Sequence, residues 1–586
     1  GSGEWRAYLQ QRLPEYMVPS VFVSLPEFPL TTSGKVNRRA LPEPEWKRTR
    51  GFVPPTTEAE RVLCAIWSEL LGVKEVGVED NFFELGGDSI LSIQIVARAH
   101  QAGLRLTPRH MFAHQTVREL ATVAEVGEQL VLGEQGEVHG PVVLTPIQQW
   151  FFEEELSGSA HYNQAVLLRV PEMRVEWLRE AVMGLVRQHD ALRLRFARDI
   201  EGWRSWIASV AEGSEQESFS HYDLALLSKD EQRQEVTAVA ERLQRSLKLE
   251  SGPILRVGYF DLGSAEGARL LVIIHHLAVD GVSWRILLED LQRGYEQLSR
   301  GEAISLGAKT TSWREWGEQL QRYVAEGNLV HEEEYWQRAI AGDAGSDNRR
   351  GLVGESEQVV VRLGAEETRE LLQEVPRLYG TQITEVLLWA LVEALGEQRL
   401  VVDVEGHGRE ELEGPRATDL TRTVGWFTTI YPVALAIEPE ANCAAGLKQV
   451  QEQMRAVPQR GIGYGLLKYL ANNEELRRRL REGARARVIF NYLGQVDNVV
   501  RAGTMYDVAS EHSGATRDPL SPRSYELEVN GSVRGGELLL SWTYSRVGHA
   551  RSEIEAIGER YTQALRQLLK ECRAERVQRG YNTSDF

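Results

Sequence analysis

The apolar positions of the chain change period along its length, and those changes mark its elements. From Leu270 to Ile274 every residue is apolar and three of the five are β-branched, which predicts a strand buried on both faces. The run ends in His275 and His276 and continues through Asp280-Gly281 to Trp284. Strand side chains alternate, so the two histidines share a pocket only if the strand has already broken; one is expected as a base, the other as support. Further strands are predicted at 164–170, 358–363, 400–404, 427–436 and 486–492, with a hairpin over 526–544 turned at Gly535-Gly536. Helical spacing predicts helices near 175–189, 230–247, 284–299, 367–379 and 383–396. The alternation describes a mixed α/β domain over 142–574. That span exceeds a usual single core, so two lobes are expected, about 142–350 and 351–574, exchanging near the polar stretch 342–354.

The N-terminal part has a different rhythm. Thr57 followed by Glu60 is a capping pair ahead of Val62, Leu63, Ile66, Trp67 and Leu70, a helix through Leu71. A second helix is expected over 90–100 and a third over 116–126, so 57–127 reads as a small bundle of about four helices. Residues 1–47 are too few for a core of their own. Proline, glycine and charge mark linkers at 48–56, 128–141 and 575–586.

Composition narrows the partners. A net charge of −18 over 586 residues disfavours nucleic acid and anionic membrane surfaces. An apolar run of about 20 residues, which a spanning helix needs, does not occur. Cys64, Cys443 and Cys572 are distant and odd in number, which suggests neither a disulfide framework nor a metal site. A cytoplasmic setting is expected.

Candidate chemistry gathers at element ends. Ser89 stands where a loop with two glycines becomes a helix, so a phosphate there would meet free N–H groups and the positive helix end; an ordinary N-cap serine is the bland alternative. His276 has the residue type of a general base near neutral pH. Glu405 follows the apolar strand 400–404, where burial would raise its pKa; by itself it reads more often as a solvated turn carboxylate. Asp280 reads as an anchor. Asn491 and Tyr492 end a strand and are expected to bind a carbonyl oxygen, with Tyr492 as an alternative second acid.

The strings around these residues carry a resemblance. Phe82-Phe83-Glu84-Leu85-Gly86-Gly87-Asp88-Ser89-Ile90 resembles the peptidyl carrier protein attachment motif. It implies 4′-phosphopantetheine on Ser89, installed by a phosphopantetheinyl transferase, with Asp88 of the kind found in carriers serving epimerization domains. The stretch Pro29-Leu30-Thr31-Thr32-Ser33-Gly34-Lys35-Val36-Asn37-Arg38 resembles the end of an adenylation domain, with Lys35 the vestigial adenylate-contacting lysine. Over 142–574, the His275 loop, 146–151, 405–410, 422–427, 458–465 and 490–494 together resemble the epimerization domain of nonribosomal peptide synthetases. That family has a two-lobed fold like chloramphenicol acetyltransferase. The resemblance implies a fragment of a longer synthetase with an upstream adenylation body and a downstream condensation domain. Its own carrier would dock to present an L-aminoacyl or L-peptidyl thioester for conversion to the D-form. It implies a pairing of Asp280 with an arginine, Arg409 being the candidate. The alternatives are a condensation enzyme that forms amide bonds and a non-catalytic carrier with an inert partner.

Overall fold

The computed structural model describes residues 52–83, 85–126, 133–212, 217–263, 266–341, 349–412, 418–439, 441–495 and 505–580. The stretch containing Lys35 lies outside them. The N-terminal domain is α1 (Glu58–Leu71), α2 (Ser89–Gln101), α3 (Pro108–Ala113) and α4 (Val117–Val123), with a short ladder of β1 (Leu104–Arg105) on β2 (Glu125–Val126). The Thr57 and Glu60 capping box opens α1 as its sequence requires. Leu63, Trp67, Phe82, Leu91, Ile95 and Leu120 meet in one small core. The third helix ends at Val123, short of 126, because Glu125 and Val126 pair with the strand at 104–105.

The larger region begins with β3 (Gly140–Val142), α5 (Pro146–Glu153), β4 (Asn163–Val170), α6 (Val175–Gln188), β5 (Leu194–Asp199), β6 (Gly202–Ile207) and β7 (Phe219–Asp223). It continues through α7 (Lys229–Gln244), β8 (Leu255–Asp261), β9 (Ala268–His275), α8 (Gly281–Ser299), α9 (Trp313–Ala325) and α10 (Glu333–Ala339). Then come β10 (Ser356–Leu363), α11 (Ala365–Tyr379), α12 (Ile383–Leu395), β11 (Arg399–Gly406), β12 (Thr429–Ala436), α13 (Cys443–Arg455), α14 (Ile462–Leu470) and α15 (Glu474–Glu482). The last elements are β13 (Val488–Gln495), β14 (Asp507–Val508), β15 (Leu527–Arg534), β16 (Glu537–Ser545) and α16 (Arg551–Gly580).

Two larger sheets hold the two lobes, in the orders β14-β4-β9-β8-β7 and β10-β16-β15-β13-β11-β12, and β3-β6-β5 forms a smaller third. Strand β9 is central and buried at every position. Leu270, Val272 and Ile274 enter the main core, while Leu271 and Ile273 meet Val236, Val239 and Leu243 of α7 on the other face. That two-sided burial explains the unbroken apolar run.

Three expectations are corrected. Gly140 and Pro141, expected as the end of a linker, belong to β3 and pair with Ile207 and Trp206. Residues 575–580, expected as linker, continue α16. The lobes also exchange segments rather than meeting at one boundary. Trp336 of α10 packs on Tyr431 and Tyr464 of the second lobe, and Asp507–Val508 pairs back onto Leu168–Arg169 of the first. One continuous apolar cluster therefore runs through both lobes.

Candidate active site and carrier contact

Strand β9 stops at His275, and His276–Ala278 form a single 3₁₀ turn before α8. This break separates the two histidines. His275 is fully buried, donates from Nε2 to the Ser159 carbonyl at 2.8 Å, accepts the Leu277 N–H at Nδ1, and meets the Phe151 ring edge-on. Burial pushes its pKa down to about 3, so it stays a neutral support. Gln148 braces the turn from α5, donating to the Leu277 carbonyl at 3.1 Å.

His276 faces a cavity, and its tautomer follows from its neighbours. The Trp284 indole can only donate, and its Nε1 lies 2.6 Å from Gln164 Oε1. The Gln164 amide nitrogen therefore points at His276 Nε2, 2.9 Å away, which must accept. On the other side of the ring Nδ1 donates to the Val279 carbonyl at 3.0 Å. The Nε2 lone pair is thus formed and taken up by the Gln164 amide at the cavity wall. Trp426 packs on the ring with centroids 4.2 Å apart, and Tyr162 stacks at 5.6 Å. Burial, with the Arg517 cation second among the lowering causes, holds the imidazole down to about 4.

Glu405 lies near the end of β11, beside the parallel strand β13. Asn491 of β13 donates from Nδ2 to Glu405 Oε2 at 2.7 Å. Burial raises the carboxyl to about 7; Glu528 adds to that rise and Arg517 opposes it. Arg517 lies over the Tyr162 ring at 4.7 Å with a Glu528 carboxylate 3.6 Å away. One cavity of about 660 Å³ is lined by His276, Glu405, Asn491, Arg517 and Glu528. Within it stand a neutral imidazole and a carboxyl that titrates near neutrality, and the half-buried Arg517 cation lowers the pKa of both.

Asp280 and Arg409 pair as the resemblance implied. Asp280 caps α8 by accepting the Ser283 N–H at 2.8 Å and receives Arg409 Nη2 at 3.1 Å and 3.2 Å and the Phe427 N–H at 3.2 Å. Arg409 also donates from Nη1 to the carbonyls of Leu420 and Thr423 and stacks on Phe427 at 3.9 Å. The contact ties the histidine loop of one lobe to the 420–427 segment of the other, which sets Trp426 on His276. It is an anchor.

The helical domain closes the mouth of the same cavity. Gly86, Gly87, Asp88 and Ile90 line it together with Tyr492 and Gly494. Asp88 caps α2, accepting the N–H groups of Ile90 at 2.9 Å and Leu91 at 2.8 Å. Gly494, at φ +68°, lets the two domains approach this closely, since a Cβ there would come within 2.5 Å of Asp88 Oδ2.

Residues 138–582 match the condensation-domain family, and residues 61–124 match the phosphopantetheine attachment site family. The chain belongs to the condensation-domain family. Its helical domain is a phosphopantetheine carrier. The epimerization domain from the third module of tyrocidine synthetase B is similar over 75% of this chain and all of its own length, at 32% identity and a TM-score of 0.69. The first condensation domain of the CDA synthetase, 20% identical with a TM-score of 0.53 over 74% of this chain and 97% of its own, shares the fold. Linear gramicidin synthase subunits C and D of Brevibacillus parabrevis are 44% and 42% identical over the whole chain. The chain spans only 8% and 12% of their lengths. It is thus a carrier and a condensation-family domain of the nonribosomal peptide synthetase type.

The carrier geometry suits the prosthetic group. The backbone of Ser89 opens α2 directly after Gly86, Gly87 and Asp88, which line the same cavity as His276 and Glu405. Tyr492 lies at that outer end. Burial, with the Asp88 charge adding to it, raises the phenol well above its ordinary range, so it keeps its proton and suits donation to a carbonyl rather than acid catalysis. Asn491, expected at a substrate oxygen, gives one amide N–H to Glu405.

Sequence reasoning missed Gln164, Tyr162, Arg517 and Glu528. Gln164 had a weak signal, a polar residue opening an apolar strand. Arg517 had none, because it sits in a segment without regular structure that reaches the site by bridging to Tyr162.

Proposed function

We propose that this condensation-family domain epimerizes the Cα of an aminoacyl or peptidyl thioester delivered by its own carrier. The observation that carries the proposal is the placement of His276 and Glu405 in one cavity that the carrier caps, with their protonation driven in opposite directions. Inversion needs a base on one face of Cα and an acid on the other. At neutral pH His276 offers a lone pair at Nε2 and Glu405 holds a proton for about half the time. Phosphopantetheine on Ser89 supplies the thioester, whose carbonyl acidifies the α-hydrogen. Within the chain, Gln164 holds His276 in the accepting tautomer until substrate displaces it, and Asn491 orients the Glu405 carboxyl. Arg517 provides positive charge for the oxygen on which negative charge develops. Asp280 and Arg409 keep the lobes in register, and Tyr492 donates to the acyl chain near the mouth.

The experiment is incubation of the phosphopantetheinylated, L-aminoacyl-loaded protein in D₂O, followed by hydrolysis, chiral separation and mass spectrometry. The expected result is a mixture of L and D forms, with one deuterium at Cα of the inverted product. Recovery of unlabelled L-residue alone would overturn the proposal. Amide formation with an added acceptor amine, without α-exchange, would point to condensation chemistry.

A further inference from the structure

The face on which the carrier rests contains a histidine whose surroundings admit only one charge state. His100, near the C-terminal end of α2, has Nε2 2.6 Å from the Leu106 carbonyl oxygen. The Leu106 N–H also points at that nitrogen from 3.3 Å, but a lone pair held 2.6 Å from an oxygen would be repelled, so Nε2 carries a proton. Nδ1 faces Asp419 Oδ2 of the larger domain at 3.5 Å. Asp419 Oδ1 is already occupied, taking the Thr421 N–H at 2.9 Å and hydroxyl at 2.6 Å, which leaves Oδ2 turned to the carrier. Both ring nitrogens thus face acceptors, an arrangement that the imidazolium alone satisfies. Asp419 is buried, at 8% exposure, in this docked arrangement.

One further ion pair repeats the same polarity. Arg98 of the carrier reaches Glu289 at 3.4 Å. A cavity of about 320 Å³ beside His100 is lined by Arg105, His110 and Glu125 of the carrier and by Arg409, Glu410 and Glu411 opposite. Burial most of all, and Arg105 after it, oppose the charge on His100; Asp419 and the Leu106 carbonyl favour it and prevail, while Arg409 is committed to Asp280. In the opposite sense Arg460 of the larger domain lies over the carrier Phe112 ring at 3.8 Å.

We propose that His100 and Asp419 form a recognition pair by which this domain selects its carrier, fitting carriers with a cation at that end of α2 and holding them more tightly when His100 is protonated. The proposal rests on the docked carrier being the one that delivers substrate, but its readout is docking and not turnover. The sign follows from linkage. The Asp419 carboxylate, which faces His100 only when the carrier is docked, raises the affinity of the ring for its proton, so the stabilisation is complete below the undocked pKa and is lost as pH rises through the docked one.

The test is energy transfer between dyes on Lys74→Cys and Ile200→Cys, both exposed, in the full-length chain with Cys443→Ser. In otherwise unaltered protein the docked fraction is expected to fall as pH is raised from 5.5 to 8.5. In H100Q and in D419N the docked-to-free ratio at the acid end should drop about three- to tenfold, the range of a partly buried ion pair, and lose its pH slope. H100K should keep the docked ratio and also lose the slope, which separates loss of charge from damage to the carrier fold. An unchanged ratio and slope in H100Q, or a slope that survives in H100K, would overturn the proposal. Failure of the epimerization reading alone would leave all these ratios as predicted.

Discussion

Replacing Glu405 by Gln keeps the side-chain shape and leaves an oxygen to accept the Asn491 amide, yet removes the acidic proton. The structure sets the size and form of the effect. With Glu405 at about 7 and His276 at about 4, the singly protonated pair favours carboxyl plus imidazole over carboxylate plus imidazolium by roughly a thousandfold. Proton return in one direction therefore comes from Glu405, and its loss should slow inversion by about 10²–10⁴-fold, or about 3–5 kcal/mol. The variant should still show chemistry on one face. His276 can remove and return a proton on its own side, so one enantiomer of the loaded residue should take up deuterium with retention while the other stays unlabelled. The assay is rapid-quench sampling of holo-protein loaded separately with the L- and D-residue in D₂O, read by chiral separation and mass. Inversion within threefold of the unaltered protein, or equal wash-in from both enantiomers without inversion, would refute the two-sided arrangement.

Other expected outcomes follow from the same contacts. The rate of inversion should be highest between pH about 4 and about 7, falling above as Glu405 loses its proton and below as His276 gains one; a stopped-time pH profile checks this. The Gln164 amide stabilises the neutral imidazole, so Gln164→Ala should move the acid limb of that profile to higher pH. Arg409→Leu strands the buried Asp280 carboxylate and should cost about 3–5 kcal/mol in denaturant unfolding, more than Asp280 and Arg409 replaced together. Because the Glu405 carboxyl is raised in the fold from an ordinary 4.5 to about 7, the native state binds its proton more readily. The stability of the unaltered protein relative to Glu405→Gln should therefore fall by up to ~3 kcal/mol as pH rises across that window, the opposing contribution of the two lowered histidines being common to both proteins. Ser89→Ala should remove the pantetheine adduct from the intact-mass spectrum.

The elements that were legible in the sequence were those whose burial is two-sided or whose ends are capped locally. The run at 270–274 is a central strand because both faces are covered, and Thr57 with Glu60 starts a helix without help from the rest of the chain. The Gly-rich stretch 461–465, which reads as a loop, instead begins α14. Its glycines answer to tertiary contact, since a Cβ on Gly461 would strike the Tyr431 ring at 2.1 Å and one on Gly463 the Glu332 carboxylate at 1.9 Å. The hairpin Leu194–Ile207 escaped notice because arginines interrupt its alternation, and Arg195 is nevertheless buried. At the site, residues at strand ends declared themselves, as His276 and Glu405 did. Those delivered by a partner strand or an irregular segment did not. Gln164 matters only because β4 pairs with β9, and Arg517 only because its segment crosses between the lobes. The carrier contact through Asp419 was equally silent, since it depends on how two domains sit together.

The central claim is geometric and is tested most directly by a structure of the holo-protein whose pantetheine thiol is replaced by an amide-linked, non-epimerizable amino acid. Cα is expected within about 3.5 Å of both His276 Nε2 and a Glu405 oxygen, one on each face of the plane through its other substituents. An acyl group seated with both side chains on the same face, or lying outside the cavity that His276 and Glu405 share, would contradict it.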